Sequence, residues 1–381
     1  MKVLLLDAAF AAEPIYNALL SLGHDVWVMG NRPQDVLAIR AAERWVHQDY
    51  SKVDAVREHA LRLGVDAVLP GCTDVSLETC LKLDLNFPYG DSDAINAVLS
   101  DKSAFRRLCM DLNLPAPRTV SEVDFPKRGL FICKPVDAFS GRGITVFDGL
   151  DIEAMRRSAS EARAVSRSGG IVIEDYCNGD LYSCSLFVEN SQLTDIFYVR
   201  EGSSANPYAV DTSYVVHDLP RECSLVLESG LNKLCLSLGL KDGLLHTQFI
   251  MSDGKPFIVE VTRRCPGDLY SLLIEYSTGF QYAKKYAASF LRESINLKLG
   301  QRRHILRHTV TSLDHSVYQG IRFKNAVGVK AFFPLMSVGG VMQPRQGNRG
   351  GVLFVESDSC KQLGQLFEEF MSRDVYDVAW Q

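Results

Sequence analysis

Apolar and polar positions over residues 1–95 alternate between short apolar runs and helical patterns. Residues 3–6 read as an apolar strand, 13–22 as a helix closing at Gly23, and 24–29 as a second strand. A helical pattern over 54–63 closes at Gly64, and 67–69 is a third strand. Alternation at this spacing predicts a parallel sheet covered by helices. The first strand runs into DAAFAAEP with no GxGxxG, which disfavours an ordinary dinucleotide site. Pro70-Gly71 leads into Cys72-Thr73-Asp74, where Thr73 or Asp74 suits the cap of a helix running to Leu83. A loop at this end of a parallel strand is also where ligands bind.

Further along, a helix from Ser100 to about Leu112 stops before Pro115-Ala116-Pro117. Strands are expected over 130–134, 144–147 and 171–175, then a hairpin of 182–188 with 193–199. A helix over 221–238 precedes a second hairpin turning at Asp253-Gly254, and 269–291 is helical. Short strands over 309–311, 329–333 and 352–355 lead to a closing helix over 360–371.

Composition narrows the class. A chain of 381 residues, 46% hydrophobic and 23% charged, is that of a soluble globular protein with more than one domain. A net charge of -5 gives no basic footprint, which argues against a nucleic-acid partner. Ten cysteines without a CxxC pair, some inside apolar runs (Cys133, Cys184), predict buried thiols in a reducing compartment. MKVLLLDAAFAA superficially resembles a signal peptide, but Asp7 interrupts the apolar run, so a buried first strand is expected. No apolar run reaches membrane-span length, and the expectation is a cytoplasmic protein with no membrane partner.

The chemistry concentrates in HTQFIMSDGKPFIVEVTRRCPGD, residues 246–268. Alternate residues of a strand share a face, so Glu260, Thr262 and Arg264 align while Val261 and Arg263 point away. A carboxylate, a hydroxyl and a guanidinium in one row suit a metal ion bridging phosphate oxygens, with a cation for developing negative charge. A three-residue loop, Asp253-Gly254-Lys255, sets Gln248 opposite Glu260, whereas a two-residue turn puts it on the other face. An ordinary solvent-facing strand is the alternative. Lys134 ends the strand FICKP before DAFSGRG, where Gly141 and Gly143 let backbone amides approach phosphate oxygens and Arg142 adds charge. A plain hairpin with a solvated lysine explains the same residues. Lys102 opens a helix capped by Ser100 or Asp101, whose dipole favours anions. IVIEDYCNGD sets Glu174 and Asp175 at a strand end leading to a turn at Asn178-Gly179, suited to reading an adenine edge.

In this order, DKSAFRRLCMDLNLPAPR, FICKPVDAFSGRGI, IVIEDYCNGD and HTQF…IVEVTRRCPGD resemble the ATP-grasp superfamily. The resemblance covers roughly residues 1–290 and includes LPGCTDVSLE in the leading parallel-sheet domain. It implies an α/β and α+β fold class: a pre-ATP-grasp parallel-sheet domain over 1–95, a two-lobed ATP-grasp domain over 96–300, and a small β-rich α+β segment over 301–381. It implies ATP and magnesium as cofactors. By the same resemblance Lys102 and Lys134 bind ATP phosphates, and Ser140, Gly141, Arg142 and Gly143 form the covering loop. Glu174 faces the adenine, beside Asp175, and the backbone near Tyr176 reads its edge. Glu260, with Gln248 and Thr262, ligates magnesium. Arg264, with Lys134, stabilises the transferring phosphoryl group or orients a substrate carboxylate. Gln248 stands where such proteins carry glutamate and Thr262 where they carry asparagine, leaving one or two magnesium ions open. Leu181 replaces the usual ribose-binding acid, with Asp180 one residue away.

The implied activity is an ATP-dependent carboxylate–amine ligase working through an acyl phosphate on small-molecule substrates. Phosphorylation of bicarbonate or carbamate is an alternative. It is disfavoured by a length too short for two synthetase halves and by the lack of a biotin-attachment motif. A non-catalytic nucleotide-binding module is the third reading, favoured by Gln248 and Thr262 and opposed by Lys102, Lys134, Glu260 and Arg264. REGSSANPYAVDTSYVV, with Arg200, Ser203, Tyr208 and Asp211, is a candidate specificity loop; Arg263, Asp268 and Tyr270 are further substrate candidates. GNRGG at 347–351 either closes over the site or forms a homodimer contact. His246 is expected to be structural, and His304 and His308 to lie on a strand.

Overall fold

The computed structural model describes residues 1–85, 90–138, 141–344 and 348–379; Ser140 lies outside them. Strands β1 (Lys2–Leu6), β2 (Asp25–Gly30), β3 (Trp45–His47) and β4 (Ala67–Pro70) form the N-terminal sheet, all parallel, in the order β3-β2-β1-β4. Helices α1 (Glu13–Ser21), α2 (Val36–Ala41), α3 (Val53–Leu63) and α4 (Asp74–Lys82) accompany it. Its strands are apolar on both faces because both are covered: Val3 and Leu5 join one core cluster, Leu4 and Leu6 another.

Two helices follow, α5 (Asp93–Ser100) and α6 (Lys102–Asp111). The helix expected from Ser100 to about Leu112 is α6, and of the two expected caps it is Asp101 whose side chain accepts from Ala104 N at 2.7 Å; α5 before it is an addition to the sequence reading. A small antiparallel sheet comes next. It contains β5 (Thr119–Val120), β6 (Leu130–Pro135), β7 (Thr145–Asp148) and β8 (Ile171–Asp175), in the order β5-β8-β6-β7. Helix α7 (Ile152–Val165) packs on it through Met155 and Ala162.

The large sheet is antiparallel. It is built from β9 (Asp180–Glu189), β10 (Gln192–Gly202), β11 (Thr212–Val216), β12 (Gly243–Ser252) and β13 (Lys255–Thr262), with α8 (Arg221–Leu238) against it. The predicted helix over 269–291 is two helices, α9 (Tyr270–Thr278) and α10 (Tyr282–Leu291), separated at Gly279 (φ +70). The sheet then continues through β14 (His304–Val310), past the short β15 (Ser316–Val317) and β16 (Arg322–Phe323), into β17 (Val329–Pro334). After β18 (Val341–Met342) come β19 (Gly351–Ser357), helix α11 (Cys360–Met371) and β20 (Tyr376–Asp377). The resulting order is β13-β12-β9-β10-β11-β14-β19-β17, so the C-terminal strands extend the sheet that carries the metal-strand motif. All ten cysteines are free thiols, and no helix among the described residues is long and apolar enough to cross a membrane.

Candidate functional site

The β12–β13 hairpin turns through two residues, Asp253-Gly254, with Ser252 paired to Lys255. By simple alternation that turn would put Gln248 on the wrong face. Phe249 pairs with Ile258, however, and Gln248 with Glu260, so Val259 is an extra residue on β13. This bulge, rather than a three-residue loop, sets Gln248 opposite Glu260.

Directly opposed residues of antiparallel strands share a face, which allows the row to be followed across the sheet. Glu260 faces Gln248, Gln248 faces Ser183, and Ser183 faces Val199. Two residues beyond Val199, on the same side, is Glu201; it faces Ser213, which faces Arg307. A polar stripe thus crosses the sheet from β13 to β14. Gln248 Nε2 donates to Glu201 Oε2 at 2.7 Å. Glu201 is buried, and that burial pushes its carboxyl above the ordinary range. Glu260 is exposed and has no hydrogen-bond or ion-pair partner among the described residues.

Glu260, Thr262, Arg264, Lys102, Asp74 and Glu78 line one cleft between this strand and helices α4 to α6. Arg264 holds Asp74 through two parallel bonds, Nε at 2.6 Å and Nη2 at 2.9 Å. Burial, the largest single influence, opposes its charge, but the Asp74 carboxylate and its hydrogen bonds, with Cys72 and Glu260 nearby, together raise the guanidinium pKa further. Thr73 is the α4 cap, its hydroxyl accepting from Ser76 N at 3.1 Å, which leaves Asp74 to Arg264. The preceding loop is fixed by buried Asp7, which accepts from Ala9 N and Cys72 N. Lys102 Nζ donates to Ala138 O at 2.9 Å. Burial lowers its pKa; the Glu260 carboxylate opposes that shift, and the nearby Lys134 charge adds to it.

Lys134 and Glu174 meet deeper in. Glu174, expected at an adenine, has both carboxylate oxygens engaged: Oε2 by Lys134 Nζ and Oε1 by Arg106 Nε, each at 2.7 Å. Glu174 is fully buried. Burial acts to raise its carboxyl pKa, but the Lys134 and Arg106 charges more than offset it and hold the group ionised. Arg106 Nη2 also donates to the carbonyl of Val259, the bulge residue, at 2.8 Å. Asp175 pairs with Arg118 at 3.1 Å, and Tyr176 is exposed, with its backbone N bonded to Leu130 O. Asp180 pairs with Arg200 at 2.6 Å.

The described part of the glycine loop meets the candidate specificity loop. Gly141 has φ +72, and a Cβ there would lie 2.4 Å from Tyr208 Cβ, so the close approach requires glycine. Gly143 also has a positive φ, and Arg142 lies between them. Asp211 fixes the 203–211 loop by accepting from Ser204 N, Ser204 Oγ and Ala205 N.

At the other end of the stripe, Arg307 is buried and donates to Ser213 Oγ at 2.9 Å and to Asp268 O at 3.0 Å. Asp268 (φ 53) and Leu269 (φ 58) are consecutive left-handed residues, a strained corner of the sort found at functional sites. Arg349, from GNRGG, bonds to Asp268 and lies 5.4 Å over the Phe10 ring, so this loop reaches both the site and the N-terminal domain. Arg263 points elsewhere, to buried Asp91 at 2.7 Å, and is no part of the cleft. Tyr270 bonds Ser183 at 3.0 Å. His246 is structural, as expected: Nδ1 bonds Ser185 Oγ at 2.7 Å, and burial lowers its pKa to about 3.

Glu260, Thr262, Arg264 and Lys102 therefore meet in one cleft, with Gln248 beside Glu260 and Lys134 behind Lys102. Asp74 lines the same cleft and holds Arg264, while Arg106, Glu201 and Arg307 are buried and bond Glu174, Gln248 and Ser213 in turn. Sequence reading passed over these roles because each partner is remote in the chain: Asp74 is 190 residues from Arg264 and Arg106 is 68 from Glu174.

No family model matches the chain. It is 21% identical over 270 residues to the carbamoyl phosphate synthase large chain of Deinococcus radiodurans, covering 63% of this chain and 26% of that one. It is 31% identical over 144 residues to pyruvate carboxylase 1 of Caenorhabditis elegans, covering 33% and 12%. The chain spans only 26% and 12% of these curated relatives' lengths. Among solved structures it resembles an L-amino acid ligase from Bacillus licheniformis, with TM-score 0.76, 18% identity and coverage of 100% and 98%. Phosphoribosylglycinamide synthetase from Anaerococcus prevotii gives TM-score 0.75, 16% identity and coverage of 100% and 99%. The biotin carboxylase domain of a Hydrogenobacter thermophilus 2-oxoglutarate carboxylase, in complex with MgADP, ADP and bicarbonate, gives TM-score 0.75, 13% identity and coverage of 99% and 90%. At these identities the likeness is one of fold.

Proposed function

Because the chain has the ATP-grasp fold, we propose that it is an ATP-dependent carboxylate–amine ligase using magnesium. The observation that carries this reading is the meeting of Lys102, Glu260, Thr262 and Arg264 in one cleft, with Gln248 opposite Glu260. The donor set fits a hard cation: a carboxylate with no hydrogen-bond or ion-pair partner among the described residues, an amide carbonyl and a hydroxyl, all oxygen. Bound there, magnesium would supply charge neutralisation on the phosphates.

This chain's residues do the rest. Lys102 and Lys134 hold phosphate oxygens, with Lys134 positioned by Glu174 and Arg106 on its far side. The loop carrying Gly141 and Gly143 closes against Tyr208 and excludes water, which protects a hydrolysable acyl phosphate. Arg264, held in one orientation by Asp74, faces the oxygens that gain charge as a substrate carboxylate attacks the γ-phosphorus. Arg307 and Arg349, flanking the strained Asp268 corner, are cations for an anionic substrate group. ADP leaves as the acyl phosphate forms; an amine then attacks the acyl carbon, and phosphate departs with the amine's proton, leaving an amide. The L-amino acid ligase and the phosphoribosylglycinamide synthetase among the structural neighbours support this acceptor, whereas the bicarbonate-bound neighbour supports keeping bicarbonate as a control.

The test is ADP release from magnesium ATP across pooled small carboxylates, amino acids and amines, with and without bicarbonate, with products read by mass spectrometry. The expected result is turnover that needs one carboxylate and one amine and yields their amide. ADP release with bicarbonate alone would overturn the ligase reading in favour of the carboxylase type.

A further inference from the structure

Consecutive residues just past β13 send two guanidinium groups to different places. Arg264 enters the catalytic cleft, whereas Arg263 turns into a separate recess walled by Leu77, Leu81, Leu244 and Phe290. Leu77 and Asn96 line both spaces and divide them. The Arg263 side chain is only 7% exposed. Its Nε donates to Asp91 Oδ2 at 2.7 Å and its Nη2 to Lys241 O, but Nη1 is buried and bonds nothing among the described residues. A buried donor left unpaired costs free energy, so an acceptor oxygen from outside the chain is favoured there. The recess has a volume of about 20 Å³, room for one oxygen-sized group.

The recess shares Gly90, Asp242 and Ser289 with an outer groove of about 500 Å³, between the β9–β10 turn and the end of α10. That volume is in the range of small-molecule sites. The charged side chains of the groove are unevenly engaged. Glu189 holds Lys285 at 2.5 Å, Asp242 accepts from Asn190 N at 2.8 Å, and Glu293 faces His24 Nε2 at 3.3 Å. Lys241 and Arg292 have no side-chain partner among the described residues. The groups left over are all donors: two cations in the groove and one guanidinium N–H in the recess.

We propose that recess and groove form a second, non-catalytic binding site for a small aliphatic dicarboxylate. One carboxylate sets an oxygen against Arg263 Nη1, and the other meets Lys241 and Arg292. The carbon chain between them lies along the apolar wall of Leu244 and Phe290. A recess that takes one oxygen admits the edge of a planar carboxylate and excludes a tetrahedral phosphate.

The probes are succinate and glutarate, titrated into the full chain and followed by saturation-transfer NMR of their methylene protons. Saturable binding with Kd at or below about 1 mM is expected for at least one of them. Saturating magnesium ADP, which occupies the catalytic cleft, should leave that Kd unchanged. Butyrate and inorganic phosphate should compete at least about tenfold more weakly than the dicarboxylate. Arg263→Lys keeps a charge facing Asp91 but removes the Nη1 donor, and is expected to raise Kd by about 10- to 100-fold. Lys241→Gln combined with Arg292→Gln, both at exposed positions, should raise it by about tenfold. Should Arg263→Lys fail to fold, Ser289→Met decides, because a longer side chain at this half-buried position fills the passage between groove and recess. Dicarboxylate displaced by magnesium ADP, unchanged affinity in Arg263→Lys or Ser289→Met, or no saturable binding of either probe would overturn the proposal. Binding is read without turnover, so failure of the ligase reading leaves this test intact.

Discussion

Glu174 and Glu260 lie in opposite surroundings within one site. Glu174 is fully buried, and two cations fill both of its oxygens. Glu260, at the mouth of the cleft, is exposed and has no such partner among the described residues. The difference separates two uses of charge. A buried, fully paired carboxylate holds the architecture: it fixes Lys134 and, through Arg106, the carbonyl of the bulge residue that puts Gln248 in register. A carboxylate left without a partner among the described residues is, on the proposed function, the one that meets the cation. The first should register in stability and the second in chemistry.

Glu174→Gln is expected to give the largest effect, about 3–5 kcal/mol of lost stability by urea unfolding, because two buried cations lose their counter-charge. A loss below about 1 kcal/mol would erase the contrast. Glu260→Gln should leave unfolding within roughly 0.5 kcal/mol of wild type while lowering the ADP-forming rate by roughly 10²- to 10³-fold. Equal effects on both would again collapse the distinction. Asp74→Asn sharpens it, since Arg264 stays charged but loses its second anchor. A drop of about tenfold, falling on kcat more than KM, is expected in steady-state assays. Gly141→Ala, with its strained φ and clash against Tyr208, should weaken ATP binding in calorimetry without a matching loss at the Glu260 strand.

The smallest effect at neutral pH belongs to His308, which bonds Thr212 Oγ1 and Tyr376 OH. Burial lowers its pKa to about 3. Above pH 6.5 the imidazole is neutral whether folded or unfolded. Between 6.5 and 3 only the unfolded chain takes the proton, so stability falls as pH falls. His308→Gln should stay within about 1 kcal/mol of wild type at pH 7.5. Its acid limb should be shallower by up to about 1.4 kcal/mol per pH unit, read from urea midpoints.

Local rules in the sequence reached a definite depth. Helices α8 and α11 were legible at their bounds, because one apolar stripe ends at Gly239 and the other starts after the Ser359 cap. The row Glu260, Thr262, Arg264 was legible because strand alternation is local. Helix α7 was missed because Met155 is the one large residue among its buried side chains, the others being the small Ser158, Ala159 and Ala162. Gln248 was given the right neighbour for the wrong reason, since a bulge leaves no composition cue. The partners of Arg264 and Gln248 were invisible to spacing, as they come from other strands and helices. The joining of β14 and β19 to the main sheet is equally a matter of pairing across the fold.

The most direct test of the central claim is isotope transfer from the substrate carboxylate. With ¹⁸O-labelled carboxylate, an amine acceptor and magnesium ATP, each turnover is predicted to deliver one ¹⁸O into inorganic phosphate, because the attacking oxygen leaves with the acyl phosphate's phosphoryl group. Amide formed with unlabelled phosphate, or with AMP carrying the label, would contradict the account.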